Sequence, residues 1–167
     1  MKKNIIRSIQ KKDVKYVLEI YNYYIENSLS NFEESKVPLI KFKQMILKIL
    51  SKKLPFIIYE IDKKIIGFAF LNDYRSKSGY RFSFENSIYV HKKYINKGIG
   101  NILLKNLIAE AKKNKMIKNI VAIIGDSKNY SSIKIHYKNG FKKIGILKNI
   151  GYKKNRWIDS VYMQKIL

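Results

Sequence analysis

The stretch from Ile88 to Asn114, IYVHKKYINKGIGNILLKNLIAEAKKN, constrains this chain more than any other part of it. It runs from the end of a β-branched and aromatic strand, through a short basic connector and two glycines one residue apart, into a long amphipathic helix. Ile102, Leu103, Leu107, Ile108 and Ala111 recur at three- and four-residue steps and predict one apolar stripe, with Lys105, Asn106 and Lys112 on the other side. Gly98 and Gly100 fall where the first turn should begin, and a glycine there lets backbone N–H groups approach a ligand with no Cβ in the way. The first amides of a helix have no internal partner and lie at the positive end of its dipole. A phosphate would satisfy both, although an isolated Gly-x-Gly is more often a plain turn.

Two well-known phosphate loops do not fit. The dinucleotide fingerprint needs a third glycine where Leu103 stands, and an acidic residue after the next strand that is absent here. The P-loop opens its helix with Gly-Lys-Ser/Thr, whereas this chain has Gly100-Asn101-Ile102.

A chain of 167 residues is expected to form one domain, 1–167, around one core. With no cysteine there is no disulfide framework, thiolate nucleophile or cysteine-ligated metal, and two isolated histidines, His91 and His136, have no metal-ligand spacing. The N-terminal MKKNIIRSIQKKD lacks the apolar run of a signal peptide and no stretch approaches a membrane span, so the expectation is a cytoplasmic protein without membrane contact. The formal charge of +23 raises nucleic-acid binding as an alternative of a different class. Against it, the lysines are spread along the chain instead of gathered in one arm or helix, and a positive field equally attracts a polyanionic cofactor.

Along the chain, Lys3 to Ile9 reads as a strand. Asp13 then opens a helix with apolar positions Val14, Val17, Leu18, Tyr21 and Ile25. After Val37-Pro38, residues Phe42, Met45, Ile46, Ile49 and Leu50 predict a second amphipathic helix. FIIYEI and IIGFAFLN, joined through Asp62-Lys63-Lys64, predict a hairpin, and Arg81 to Val90 alternates as a strand. IKNIVAIIG is apolar enough to be a strand covered on both faces. A short helix from Asn129 to Lys138, closed by Gly140, precedes strands Phe141 to Leu147 and Ser160 to Ile166. The succession βααβββαβαββ predicts an α/β fold with one mixed central sheet and helices on both faces.

Strand, basic connector, Gly-x-Gly and long helix in this order resemble the coenzyme A pyrophosphate loop of the GNAT superfamily of N-acetyltransferases, with Ile95 standing where that loop usually has Gln or Arg. NYYIENSLSNFE, YRSKSGYRFSFENSIYV, NYSSIKIHYKNGF and GYKKNRWIDSVYMQ narrow the likeness to the phosphinothricin and methionine sulfone (sulfoximine) N-acetyltransferases, nearly end to end. The resemblance implies a GNAT fold whose middle strands splay apart around the pantetheine arm. It also implies acetyl-CoA as co-substrate, no metal, a small amino-acid-like amine as acceptor, and a homodimer. Rival readings within the fold are acetylation of a protein N-terminus or of a polyamine, but those substrates call for acidic residues and the proposed acceptor loop is basic.

By the same resemblance, Ile88, Tyr89, Val90, Asn96, Lys97, Gly98, Ile99, Gly100, Asn101, Asn129 and Lys138 are expected to hold the coenzyme. Phe32, Arg75, Lys77, Tyr80 and Arg81 are expected to hold the acceptor, arginine being suited to carboxylate or phosphinate by its planar fork. Only four of the 35 basic residues are arginine, two of them here. Glu85 matches the family's proposed base; an ordinary glutamate has too low a pKa for that, so it must act through water or be raised by burial. His136 stands four before Gly140, where most GNAT enzymes carry a tyrosine that protonates the thiolate, and shares a helix face with Asn129 and Ile133. A packed or solvent-facing histidine remains the alternative, and Asn129 is read as a helix cap, a pantetheine contact, or both.

Overall fold

The computed structural model of the chain describes residues 4–167. Its elements are β1 (Asn4–Ser8), α1 (Val14–Asn27), α2 (Leu39–Ser51), β2 (Phe56–Ile61), β3 (Lys64–Asp73), β4 (Ser83–Val90), α3 (Ile99–Lys112), β5 (Asn119–Gly125), α4 (Tyr130–Lys138), β6 (Lys142–Lys153) and β7 (Arg156–Ile166). The order βααβββαβαββ is the expected one; the expected start of the first strand, Lys3, lies outside the described residues. The strands form a seven-stranded sheet in the order β1-β2-β3-β4-β5-β7-β6. Every neighbouring pair is antiparallel except β4 and β5, which α3 connects as a crossover.

α1 and α2 cover one face, where Phe56, Phe68 and Phe70 stack and Tyr21 meets both Phe42 and Tyr89. α3 and α4 cover the other. There Gly67 of β3 admits α3 closely, since a Cβ would lie 2.9 Å from Leu103 Cδ1 and 2.9 Å from the carbonyl oxygen of Tyr89. The buried stripe of α3 is Ile99, Leu103, Leu104, Leu107, Ile108 and Ala111. Leu104 takes the place expected of Ile102, which is half-buried at the cleft end of the helix.

Both hairpins turn on two residues with positive φ, Asp62 (48°) with Lys63 (64°), and Lys154 (52°) with Asn155 (58°). This is the backbone twist that matches two adjacent strands. Asp13 precedes α1 but its side chain does not cap it. Its carboxylate instead accepts from the Gln10 amide at 2.7 Å and from both terminal nitrogens of Arg7 at 2.6 and 2.9 Å, and Arg7 also reaches Glu60 at 2.7 Å, which ties β1 and β2 to the start of α1.

The largest boundary differences from the sequence reading are in β4, β6 and β7, the last of which begins at Arg156 instead of Ser160. β4 starts at Ser83 because Ser78–Tyr80 close a 3-10 turn, with the Arg81 amide donating to the Ser78 carbonyl at 3.1 Å. β6 runs on past Leu147 to Lys153 through an irregularity between Leu147 and Gly151, where Asn149 has φ of 50°. Asp159 of β7 staples that irregularity. It accepts from the Asn149 amide at 3.0 Å, Lys148 Nζ at 2.9 Å and Ser127 Oγ at 2.9 Å, and these bonds hold its carboxyl down to about 2. Polar side chains at the bulge mask the strand pattern in the sequence.

Candidate active site

β4 and β5 pair over three rungs only, Ser83↔Asn119, Phe84↔Ile120 and Glu85↔Val121, and then part. Each remains held on its far side, β4 by β3 as far as Val90 and β5 by β7 as far as Gly125. The gap-facing backbone groups of Asn86 to Val90 therefore have no ladder partner in β5, an edge that an extended ligand with amide groups can complete. A cleft of about 720 Å³ occupies this opening; Ile88, Tyr89 and Val90 line one side, and Ala122, Ile123, Ile124 and Gly125 the other.

At one end the cleft meets the start of α3. A 3-10 turn, Lys92–Tyr94, is followed by Asn96 (φ 61°) and Gly98 (φ 78°), both left-handed, and α3 begins at Ile99. The first helical bond runs from the Ile102 amide to the Gly98 carbonyl at 3.2 Å, so the amides of Ile99, Gly100 and Asn101 precede the ladder. Asn96, Gly98, Ile99, Gly100 and Asn101 all line the cleft, as does Ile95. A Cβ on Gly100 would meet Ile135 Cδ1 at 3.4 Å and Val90 Cγ2 at 4.0 Å, ordinary contacts. What the bare Gly100 leaves open is room for a ligand at the helix start. Lys97 stands outside the lining with its ammonium 5.1 Å from the centre of the Tyr94 ring, and Lys138 is exposed at the far end of α4. Asn129 caps α4 by accepting from the Ser132 amide at 3.3 Å and also lines the cleft.

At the other end, Glu85 stands on the last paired rung, half-buried, facing α1 and α2 together with Ser87 and Tyr89. Burial raises its carboxyl to about 7, against the opposing pull of the Arg75 charge. Around it the cleft is lined by Asn72, Tyr21 and the loop residues Ser30, Asn31, Phe32 and Glu33. Of the expected acceptor residues, Phe32 lines the cleft, while Arg75, Lys77, Tyr80 and Arg81 do not. Arg75 is the one of those four whose charge acts on Glu85, and it lies over the Tyr74 ring at 5.2 Å. Tyr80 meets Tyr74 edge-on, and Arg81 lies over the Phe82 ring at 4.5 Å.

His136 lines the cleft from the opposite face of the sheet and is 2% exposed. Its Nδ1 lies 2.7 Å from the Ser132 carbonyl oxygen, which can only accept, so Nδ1 carries the proton. Nε2 then accepts from Asn86 Nδ2 at 3.0 Å. Burial lowers the ring to about 4, partly offset by the Ser132 bond, and it is neutral at physiological pH. Asn86 Oδ1 is buried and without a partner among the described residues. Asn86 and Asn31 were not expected at the site. Asn86 lies on the core side of β4 next to Glu85, and nothing in a polar residue between two others marks it.

A splayed sheet with a glycine-led helix start at one end of the gap and a half-buried, elevated carboxyl at the other is the arrangement of the GNAT class of acyltransferases. The family profile described as "Acetyltransferase (GNAT) domain" matches residues 6–162, and the chain belongs to that family. It is 34% identical to the phosphinothricin N-acetyltransferase of Alcaligenes faecalis over 97% of this chain and 82% of that protein. Among solved structures it is similar to a GNAT superfamily phosphinothricin acetyltransferase from Sinorhizobium meliloti in complex with AcCoA (28% identity, TM-score 0.92, 98% of this chain and 88% of the other). It is also similar to a ribosomal-protein-alanine N-acetyltransferase from Brucella melitensis (34% identity, TM-score 0.93, 98% and 99%). Among the described residues no group of side chains could hold a metal ion and no helix is long and apolar enough to cross a membrane.

Proposed function

We propose that this protein moves an acetyl group from acetyl-CoA to the amino group of a small amino-acid-like substrate of the phosphinothricin, methionine sulfone or methionine sulfoximine kind. The observation that carries this reading is the gap between β4 and β5, which joins the α3 cradle to Glu85 in one cleft. The residues present fit coenzyme A: amides of Ile99, Gly100 and Asn101 for the pyrophosphate, the open β4 edge for the amide-bearing arm, and a side-chain-free position at Gly100. When bound, acetyl-CoA supplies the thioester carbonyl that the amine attacks, the C–N bond forming as the C–S bond breaks.

Glu85 takes the proton that an ammonium must lose before it can attack, and a carboxyl near pKa 7 is well matched to that task at neutral pH. A second proton leaves the nitrogen during transfer and is the one the departing sulfur needs. His136, neutral and with its only N–H committed to Ser132, acts by holding Asn86 on the gap. Arg75, beside Glu85 in charge if not in contact, gives a negatively charged acceptor an attractive mouth, and Lys77, Tyr80 and Arg81 extend the same basic loop.

Thiol release over a panel of phosphinothricin, methionine sulfone, methionine sulfoximine, spermidine and an alanine-led peptide tests the assignment. Preference for the first three supports it; preference for the peptide would move the reading to a protein N-terminus, which the likeness to the Brucella enzyme favours. Salt-sensitive binding to DNA or RNA, with no coenzyme A binding at millimolar concentration, would replace the enzyme by a basic binding domain.

We further infer a homodimer in the cytoplasm. The edge strand β6 and its neighbour expose Ile144 (64%), Leu147 (45%), Ile150 (55%), Tyr152 (49%) and Trp157 (63%), an apolar surface that a second copy would cover. Light scattering that gives a monomer at micromolar concentration rejects the dimer, and cell fractionation tests the compartment.

A further inference from the structure

The wall of the cleft beside Glu85 is made by the loop between α1 and α2, through Ser30, Asn31, Phe32 and Glu33. This loop is pinned at three points, two of them outside the cleft lining. Lys153, on β6 and only 2% exposed, donates from Nζ to the Asn31 carbonyl at 2.5 Å. Asn31, 7% exposed, donates from Nδ2 to the Tyr89 hydroxyl at 3.0 Å and accepts at Oδ1 from the Glu33 amide at 2.9 Å. Two residues before Lys153, and so on the same face of the strand, Gly151 lies directly against Phe32; a Cβ there would come within 2.2 Å of Phe32 Cε1 and 2.6 Å of Cδ1. A third pin is Gly125 at the tip of β5, where a Cβ would lie 2.6 Å from the Leu29 carbonyl oxygen.

A buried ammonium is costly unless it is paired, and Lys153 is held by a backbone carbonyl; the charges of Glu33 and Glu34 act on it, but among the described residues no carboxylate is in ion-pair contact with it. An apolar side chain of similar length would fill the same volume but leave the Asn31 carbonyl without this donor. The distinctive result of having lysine there is the position of Asn31, and through its side chain the position of Tyr89 on the same face of β4 as Glu85.

We propose that Gly151 and Lys153 of β6 are positioning residues that set which amine the enzyme accepts: they seat Phe32 and Asn31 against the end of the cleft where Glu85 stands. Neither touches the acceptor. Acceptor selectivity thus resides partly in a hairpin that lies outside the cleft lining and is separated from Asn31 by 122 residues of sequence. The inference rests on the acetyl-transfer reading above.

The test compares Gly151→Ala and Lys153→Met with wild type in three measurements: the panel of amines by thiol release, kcat at saturating amine, and the coenzyme A dissociation constant by calorimetry. Both variants are expected to raise the KM of the preferred amine by about tenfold or more and to alter the rank order of the panel. The kcat and the coenzyme dissociation constant should each stay within about threefold, a split that general loosening of the fold does not produce. In a Gly151→Ala background, Phe32→Leu should cost less than it does alone, because the smaller side chain relieves the new clash. If Lys153→Met does not fold, Gly151→Ala and its cycle with Phe32 decide the matter. Unchanged KM and rank order, or coenzyme affinity falling in step with amine affinity, overturn the inference alone. A wild type that binds coenzyme A but acetylates no amine in the panel overturns the substrate reading and this inference with it.

Discussion

Asn86 Nδ2 donates to His136 Nε2 across 3.0 Å, while His136 Nδ1–H is committed to the Ser132 carbonyl at 2.7 Å. The relationship fixes the tautomer: a second proton would put two N–H donors against each other unless the Asn86 amide turned over. Burial, which lowers the ring to about 4, keeps it neutral at physiological pH, and this, not its helix position, decides what it can do.

The pH dependence of folding should carry this signature. A histidine lowered to about 4 in the fold, against an ordinary value near 6.5, binds its proton more readily in the unfolded chain between those limits. Its contribution to stability is present above pH 6.5 and is lost as pH falls toward 4. Nitrogen-15 NMR should find His136 uncharged and protonated at Nδ1 at pH 6; an imidazolium there would contradict the assignment.

Glu85 has the opposite linkage. Its carboxyl is raised to about 7, so the folded state holds a proton that the unfolded state releases above about pH 4.5, and stability declines as pH rises from there to 7. Glu85→Gln should raise the melting temperature above pH 7. It should also lower kcat by about 10² to 10⁴ and remove the acidic limb of the kcat/KM profile near pH 7. Coenzyme affinity should be nearly unaltered.

Arg75→Ala removes the positive charge that partly restrains the Glu85 carboxyl, so the acidic limb should move to higher pH. Arg81→Ala, which removes a cation resting on the Phe82 ring, should leave that limb in place. Parallel pH profiles for the two variants would separate their roles, and a shift in the second instead of the first would reject this account.

The two glycines of the cradle should fail in different ways. Gly98 has φ of 78°, so Gly98→Ala strains the turn and should destabilise the protein by about 1 kcal/mol. Gly100 is helical with room for a Cβ, so Gly100→Val should leave the melting temperature nearly intact but weaken coenzyme A binding by about tenfold or more, since a branched side chain intrudes at the helix start. Lys97→Ala, whose ammonium rests on Tyr94, should have a far smaller effect. Calorimetry and thermal melts on the three variants check the pattern.

Periodicity determined the order and kind of the eleven main elements, because the side chains of a helix or strand report locally which side meets the core. The helix Ile99 to Lys112, with Gly98 just before its first turn and Gly100 inside it, is legible from the same local rule, and Glu85, on a strand leading toward it, is singled out only through the family resemblance. Local rules do not say which segment lies opposite. That β4 and β5 part after Glu85↔Val121 depends on how α3 and the β7 ladder hold the two strands, and the cleft exists only because of it. The elevated carboxyl of Glu85 and the neutral ring of His136 are desolvation effects imposed by residues far away in sequence. The reach of Lys153 to Asn31 is decided in the same way, by a bulge at Asn149 that Asp159 staples and that places the end of β6 over a loop from the first quarter of the chain.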